Sequence, residues 1–583
     1  MSAPNETVTV SNYILTRLLG VKSLFGVPGD FNLAFLDVVE DHPSVEWIGC
    51  CNELNAAYAA DGYARVSSGL GVVVTTFGVG ELSALNGIAG AFSERVPVLH
   101  LVGVPSTKLQ AHHALLHHTL GDGRFNVYIE CGAHVTIAQE TLTGPHTAGE
   151  QIDRVIISAL MTCRPTYLTL PTDLVEAEIS AAPLARALTL ERVREVQFAP
   201  AAGQIARAQE KALDAIVQLY KEAKKPVVLI DACAVRYGVI DLVRKLVKNT
   251  GMPYYTTPMA KASLDENDPK FGGIYVGNAT IGITKENFEA ADFILTIGLL
   301  MSDFNSGNFS FRLPEQNTVE VHSDHTKLAG QVYAGVTFFT LLPALVNSLH
   351  ASGNKGQDEL VEKQSIFSAL KPDWQQGEII EQEWFWAVFA NFLKENDIVL
   401  SETGELSPFC TSNFGLIDVL FPRNTLMLSQ VLWGSIGWSV GASLGAAVAA
   451  RERNRRFIAF TGDGSVQVTV QDFSTMLRHG LTPIIVLLNN DGYTIERFIN
   501  GPERADNDIQ PWRWSEILNA FGAKPGQANV HKVSTPKELH RLLQDPALGS
   551  GEKLTFIEVI MGKLDAPRLL KVQAELTHKA NLA

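Results

Sequence analysis

Apolar and polar positions fall into a repeating block pattern along the chain. Apolar runs of strand length occur at 23–27, 71–75, 98–102, 226–230, 293–297, 457–460, 484–488 and 556–560. Longer stretches, such as 13–19 and 55–66, have helix-like spacing. A short continuous apolar run bounded by turn residues suits a strand buried on both faces, and a period near 3.6 suits a helix packed on it. Strand, helix and strand in succession build parallel neighbours. The pattern therefore predicts an α/β chain. It is interrupted by polar stretches at 180–203 and 351–371, which read as linkers. They divide the chain into 1–185, 200–350 and 372–583. At roughly 150 residues per domain the length allows about four domains or fewer. No short-period repeat appears, but the first and third blocks share the βα character that an old duplication would leave.

The best-defined unit runs from 457 to 496. A strand-like run leads into Gly462-Asp463-Gly464-Ser465. Helical spacing follows through Val468, Phe473, Met476 and Leu477 and closes at Gly480. A second strand-like run leads into Asn489-Asn490-Asp491-Gly492. Both polar clusters fall at carboxyl ends of strands, where open α/β sheets bind ligands. Gly462 and Gly464 would let backbone N–H groups approach an anion at a helix start. Asp463 places a negative charge in the same spot, and a metal resolves the conflict. Mg²⁺ takes octahedral oxygen ligands and bridges carboxylates to phosphates. The Asp463 carboxylate, the Asn490 amide oxygen and a carbonyl near Gly492 offer three such oxygens. Each cluster alone would serve as a turn, which Asp-Gly and Asn-Gly favour. The two together, after consecutive strands, favour the metal.

The GDGS and NNDGYTIE segments resemble the diphosphate motif of thiamine-diphosphate-dependent 2-oxo acid decarboxylases, in particular the fungal pyruvate decarboxylase group. The resemblance extends to CCNELNAAYAADGYAR, FGVPGDFN, ALLHHTLGDG and SQVLWGSIGWSVGASLG. It implies three doubly wound parallel-sheet domains: an N-terminal pyrimidine-binding domain, a central α/β domain and a C-terminal diphosphate-binding domain. The cofactors it implies are thiamine diphosphate and Mg²⁺, the ion held by Asp463, Asn490 and Gly492. Cofactor contacts would come from Glu53, Gly434, Ile436, Gly462, Asp463, Gly464, Ser465, Asn490 and Ile495. Glu53, Asp30, His117, His118 and Glu496 would be catalytic. By position alone Glu53 would be a first-turn acid facing a helix dipole, Asp30 a turn or cap, the histidines a surface pair and Glu496 an exposed helical acid. His112 and His113 form a second pair, and only the match to LLHHTLG selects the later one.

The chemistry needs such groups. A carboxyl in an apolar cleft keeps a raised pKa and can protonate the aminopyrimidine. The cofactor then acts as its own base while the protein orients it. Ile436 would hold the cofactor bent and Gly434 would offer a carbonyl to its amino group, a proximity effect. The implied reaction is non-oxidative decarboxylation, first of pyruvate, to an aldehyde and CO₂ through an enamine. Decarboxylation of larger aryl or branched 2-oxo acids, carboligation to an acyloin, and a non-catalytic homologous subunit are the alternatives. The resemblance also places the cofactor between the first block of one subunit and the third of another, so self-association as a dimer or a dimer of dimers (a homotetramer) is expected.

The chain departs from the family in places. ELSPFCTS stands between Glu402-Thr403-Gly404 and Asn413-Phe414-Gly415, with Glu405 where relatives carry threonine. Residues 405–412, with apolar Leu406 and Phe409, would line the substrate pocket or form a solvent loop. Ile495, Ile499 and Phe304 would bound that pocket. Cys233 matches a position linked in some relatives to substrate activation, or it is a small core residue. Arg95 stands where the yeast-type pattern has histidine.

Composition narrows the partners. Asp and Glu number 62 against 47 Lys and Arg, a net charge of -15, which gives no hint of nucleic acid binding. The six cysteines show no CxxC spacing and read as reduced thiols. No run is apolar and long enough to span a membrane, and no secretory pattern opens the sequence. A cytoplasmic protein without nucleic acid or membrane partners is expected.

Overall fold

The computed structural model describes residues 6–582 except 19, 351–376, 403–414 and 418. The expected linker at 351–371 and the departure at 405–412 lie outside the described residues.

The apolar runs form three sheets. In the first, the order is Glu46–Gly49, Ser23–Gly26, Gly71–Thr76, Val98–Val104, Thr166–Pro171 and Gln139–Thr141, all parallel. In the third it is Leu426–Leu428, Ile398–Ser401, Phe457–Gly462, Ile484–Asn489, Leu554–Ile560 and Ala528–Val533, again all parallel. Numbered along the chain within each six-stranded sheet, both orders are 2-1-3-4-6-5. Gly71–Thr76 and Val98–Val104 are buried at every position, because helices cover both faces of a parallel sheet.

The middle sheet is parallel through Phe271–Ile274, Tyr254–Thr256, Pro226–Ile230, Phe293–Ile297 and Thr318–Val321. An antiparallel hairpin, His325–Leu328 and Gln331–Ala334, then extends one edge. Its turn residues Ala329 and Gly330 both have positive φ (46° and 79°), as a tight hairpin turn requires.

Two local expectations change. The helix expected between 463 and 480 is two helices, Asp463–Thr469 and Asp472–Arg478. The break follows the β-branched run Val468-Thr469-Val470, which is stiff in a helix, and the Thr469 hydroxyl donates to the Gly437 carbonyl at 2.5 Å. The stretch 180–203 is not a bare linker. It holds the helix Leu190–Gln197, capped by Thr189 accepting from the Arg192 N–H and anchored by buried Val193.

The first and third domains meet through two helices of 15 residues, Glu53–Ser67 and Trp438–Glu452, each joining the second strand of its six-stranded sheet to the third. They run in opposite directions. A Cβ at Gly445 would stand 1.7 Å from the Ala59 carbonyl oxygen, and one at Gly62 would stand 2.1 Å from that of Ala442. Glycine here is a matter of close approach: it lowers helix propensity by about 1 kcal/mol and brings the backbones into contact. Arg65 closes the far end, stacked over Trp438 and bonded to Asp61 and the Ser429 carbonyl. Among the described residues no helix is long and apolar enough to cross a membrane.

Candidate active site

The third domain presents its polar cluster at the carboxyl ends of two neighbouring strands. Phe457–Gly462 delivers Asp463, which is 2 % exposed. Asp463 accepts from the Gly464 N–H at 3.0 Å and from the Gly492 N–H at 3.1 Å. Burial pushes its carboxyl up to about 7, against the lowering effect of these backbone bonds. Ile484–Asn489 delivers Asn490, which is buried. One amide atom of Asn490 lies 3.1 Å from the Gly492 carbonyl oxygen and 3.1 Å from Asp463 Oδ1, and the other lies 2.7 Å from Thr494 Oγ1. With the amide nitrogen inward, both contacts are hydrogen bonds. With the oxygen inward, three oxygens crowd together, and a cation reconciles them. The donor set is thus carboxylate, amide oxygen and carbonyl, all hard oxygens of the kind Mg²⁺ takes. A Cβ at Gly462 would meet no protein atom within 4 Å, so the chain leaves space beside this cluster.

The segment 430–439 lies next to it. Gly434 has φ +61° and its N–H donates to the Gln430 carbonyl at 3.1 Å. Glu94 holds the approach to it, accepting from the Leu432 N–H at 2.6 Å and the Trp433 N–H at 3.2 Å. Gly437 has φ +84°, and its N–H donates to Ser465 Oγ at 2.9 Å. Ile436 is half-buried between these two glycines. Tyr58, from the first domain, reaches Ser435 Oγ at 2.7 Å.

The first domain offers a different set. Glu53 opens its helix behind Asn52, whose side chain caps the Leu54 N–H. Its carboxyl is half-buried, burial raises its pKa, and no other described residue hydrogen-bonds to it. Gly80 lies against it: a Cβ there would be 3.0 Å from Glu53 Oε1. Asp30 Oδ2 and His117 Nε2 are 2.8 Å apart. His117 stacks on Phe31, and its ring centroid is 4.6 Å from that of His118. His118 has φ +67°, sits edge-on to Phe31 and Phe77, and its carbonyl accepts from Tyr128 Oη at 2.7 Å. The same carbonyl would be 2.2 Å from a Cβ at Gly78. By contrast, His112 Nδ1 lies 2.7 Å from the Lys108 carbonyl, and His113 Nδ1 is 3.2 Å from that of Gly123.

Glu496 lies in the helix Thr494–Asn500, with Oε1 buried and without a hydrogen-bond partner among the described residues. Burial, and then the charge of Asp506, raise its carboxyl. Ile495 is 3 % exposed and packs with Phe304, Ile417 and Val431, with Ile499 at the margin. It is a core residue of this cluster in the chain as it stands, and the middle-domain Phe304 shares that cluster with it. Cys233 is fully buried, and burial pushes its thiol up to about 12.

The structure therefore assembles two groups: Asp30, His117 and His118, with Glu53 across the Gly78–Gly80 turn, and Asp463, Asn490 and Gly492. No hydrogen bond or ion pair among the described residues joins Glu53 or His118 to Asp463 or Asn490. Sequence reasoning did not single out Glu81, which is 3 % exposed and accepts from the Gly78 N–H at 2.7 Å and from Tyr167 Oη. Nor did it single out the C-terminal helix Arg568–Leu582, whose Leu569, Leu570 and Ala574 seal the Ile495 cluster. The apolar spacing of that helix was a usable signal.

Comparison with known proteins agrees in all three domains. Residues 8–122 match the N-terminal TPP binding domain of thiamine pyrophosphate enzymes, 213–348 the central domain, and 412–559 the C-terminal TPP binding domain. Thiamine pyrophosphate is another name for thiamine diphosphate. The chain is 43 % identical to pyruvate decarboxylase isozyme 1 of Saccharomyces cerevisiae over 98 % of its own length and 99 % of the relative's. It is 44 % identical to the pyruvate decarboxylase of Candida glabrata and 43 % identical to that of Kluyveromyces lactis, each over 98 % of this chain and 99 % of the relative. The chain belongs to the thiamine pyrophosphate enzymes, in the family that includes the fungal pyruvate decarboxylases.

Proposed function

We propose that this chain decarboxylates pyruvate without oxidation, releasing an aldehyde and CO₂, and that it holds thiamine diphosphate through Mg²⁺. The observation that carries the reading is the convergence of the Asp463 carboxylate, the Asn490 amide and the Gly492 carbonyl beside the open side of Gly462. Asp463, Asn490 and Gly492 would hold the ion, and the N–H of Ser465 would face the diphosphate. When bound, thiamine diphosphate supplies an electron sink for the pair released with CO₂.

The chain's own residues handle protons and position. Burial raises the Glu53 carboxyl above its ordinary value, against the lowering effect of a bond from its own backbone N–H, which suits donation to a ring nitrogen. Gly434 and Ile436 orient the cofactor. Asp30 fixes one ring nitrogen of His117, and Phe31 and Phe77 fix the ring of His118, so a proton can be held and passed at defined atoms. Glu496, with its raised carboxyl against the Ile495 cluster, would hold a proton near a small substrate.

We infer that the enzyme self-associates as a dimer or a dimer of dimers, with Glu53 of one subunit facing Asp463 of another. Two observations support this. The two groups share no hydrogen bond within the described chain. Leu33, Val79, Leu82, Leu115 and Leu120, which neighbour Asp30, Gly78 and the histidines in sequence, are 40–70 % exposed, an apolar surface of the kind that marks an interface. The cysteine spacing supports a cytoplasmic location.

The testing experiment is aldehyde release by the purified protein across a panel of 2-oxo acids, with and without thiamine diphosphate and Mg²⁺. Pyruvate turnover that requires both is expected. Turnover of only aryl or branched acids, or acyloin as the sole product, would replace the substrate assignment.

A further inference from the structure

Glu402 is a buried carboxylate that the reaction above leaves without a role. It stands immediately beyond the strand Ile398–Ser401, which pairs with Phe457–Gly462. These are the first and third strands of the domain in an order that reads 2-1-3, so the chain leaves them toward opposite sides. Crevices at such switch points are where open α/β sheets bind ligands. Glu402 is 1 % exposed. Its Oε2 accepts from the Ser439 N–H at 3.1 Å, at the start of the helix Trp438–Glu452, and also from the Ser465 hydroxyl. Ser465 Oγ in turn accepts the Gly437 N–H at 2.9 Å. Beside this relay, Ser439 Oγ and Thr461 Oγ1 are 2.9 Å apart.

One carboxylate oxygen therefore ties together three places: the end of the first strand, the segment 434–439 and the turn 463–465. Two hydrogen bonds converge on this one oxygen, and burial shields both from competing water. The hydroxyl of Ser465 has a single proton, and it goes to Glu402. That leaves the backbone N–H of Ser465, not its side chain, for an anion.

We propose that Glu402 is a positioning residue that locks the 434–439 segment to the 463–465 turn, and that the Ser465 hydroxyl serves this lock rather than the diphosphate. The proposal rests on the cofactor site assigned above. The lock would set the spacing between residues at the two ends of the cofactor, so losing it should weaken cofactor binding without unfolding the domain.

The test is calorimetric titration of the cofactor-free full-length protein with thiamine diphosphate and Mg²⁺, in parallel with its melting temperature. Glu402→Gln keeps the shape and puts an amide in place of the carboxyl; Ser465→Ala removes the relay. Each should weaken binding about 10-fold or more, the range seen when an outer supporting partner of a metal site is lost, with little change in melting temperature. The double variant should lose less than the two single losses combined, because both remove the same Glu402–Ser465 bond. Unchanged affinity in both single variants, or full additivity in the double, would overturn the lock. A loss of melting temperature with unchanged affinity would reduce Glu402 to a folding role and overturn it too. Asp463→Ala, run alongside, separates the two levels: if it binds cofactor normally, the assigned site fails rather than the lock. Should Glu402→Gln not fold, Ser465→Ala alone decides, since it removes one buried hydroxyl.

Discussion

In the first sheet the third strand, Gly71–Thr76, runs into Phe77-Gly78-Val79-Gly80-Glu81. In the third sheet the third strand, Phe457–Gly462, runs into Asp463-Gly464-Ser465. The two sheets have the same strand order and the same bridging helices, yet the equivalent turns carry opposite chemistry. In the third domain the acid comes at the first helical position and meets Asn490 and Gly492, where charge is useful only with a cation. In the first domain the acid comes later and turns inward to Tyr167 and the Gly78 N–H. That leaves Gly78 and Gly80 bare, and against them rest the His118 carbonyl and Glu53. On the proposed reading, one scaffold thus yields a site for a metal-bound anion and a site for moving protons. The difference lies in where one carboxylate enters the helix.

The comparison can be broken most severely at Asp463. Asp463→Ala should reduce Mg²⁺-dependent cofactor affinity by more than about 100-fold, above the loss typical of outer partners, read by calorimetry. Glu53→Gln should bind the cofactor nearly as the parent does but activate it poorly. Exchange of the thiazolium proton into deuterated water should slow by roughly 10²–10⁴-fold, the size of a lost acid–base group. Parental exchange would remove Glu53 from that role. His118→Ala should lower turnover within the same range of roughly 10²–10⁴-fold, while His112→Ala, whose ring bonds its own helix, should be nearly silent. A loss of only a few-fold in His118→Ala would return that residue to a structural role.

Two smaller effects test the scaffold. Gly445→Ala drives a methyl toward the Ala59 carbonyl. Overpacking of this kind destabilises by about 1–3 kcal/mol, so thermal melting should begin several degrees lower. Glu81→Gln sharpens the contrast between the two acids. Burial holds the Glu81 carboxyl up to about 7, above its ordinary value, so the folded state keeps a proton that the unfolded state has released. Its contribution to stability is therefore present below the ordinary carboxylate pKa and is lost as pH rises toward 7, by about 1.4 kcal/mol per unit at most. The melting temperature of the parent should fall relative to Glu81→Gln between about pH 4.5 and 7 and run parallel above. Parallel curves throughout would show that Glu81 is ionised in the fold.

Much of this plan is legible in the chain. The runs at 226–230 and 293–297 are the observed strands residue for residue, because fully buried parallel strands are continuous apolar blocks. The hairpin His325–Ala334 is not visible that way: its strands are four residues long and half polar. The break after Thr469 escapes because periodicity passes across it, whereas the bond to Gly437 that accompanies it comes from 32 residues away. For the site, the two Gly-flanked polar clusters stand out because each follows an apolar run. The pairing of Asp30 with His117 spans 87 residues, and nothing in local spacing announces it; similarity to a family does. Glu81 escapes both signals, and Glu402 stands in a segment compared with the family without receiving a role there. Each is defined by what it bonds in three dimensions.

The central claim is that the first domain's Glu53 and the third domain's Asp463 act together across subunits. The most direct test is to co-produce Glu53→Gln and Asp463→Ala chains carrying different tags, each variant inactive alone, and to assay the purified mixed assemblies. In a symmetric dimer with shared sites each mixed dimer has one intact site of two, so the purified mixed dimers should recover about half of parental pyruvate decarboxylation. If the mixed dimers form and remain inactive, the site is built within one chain and the account is wrong.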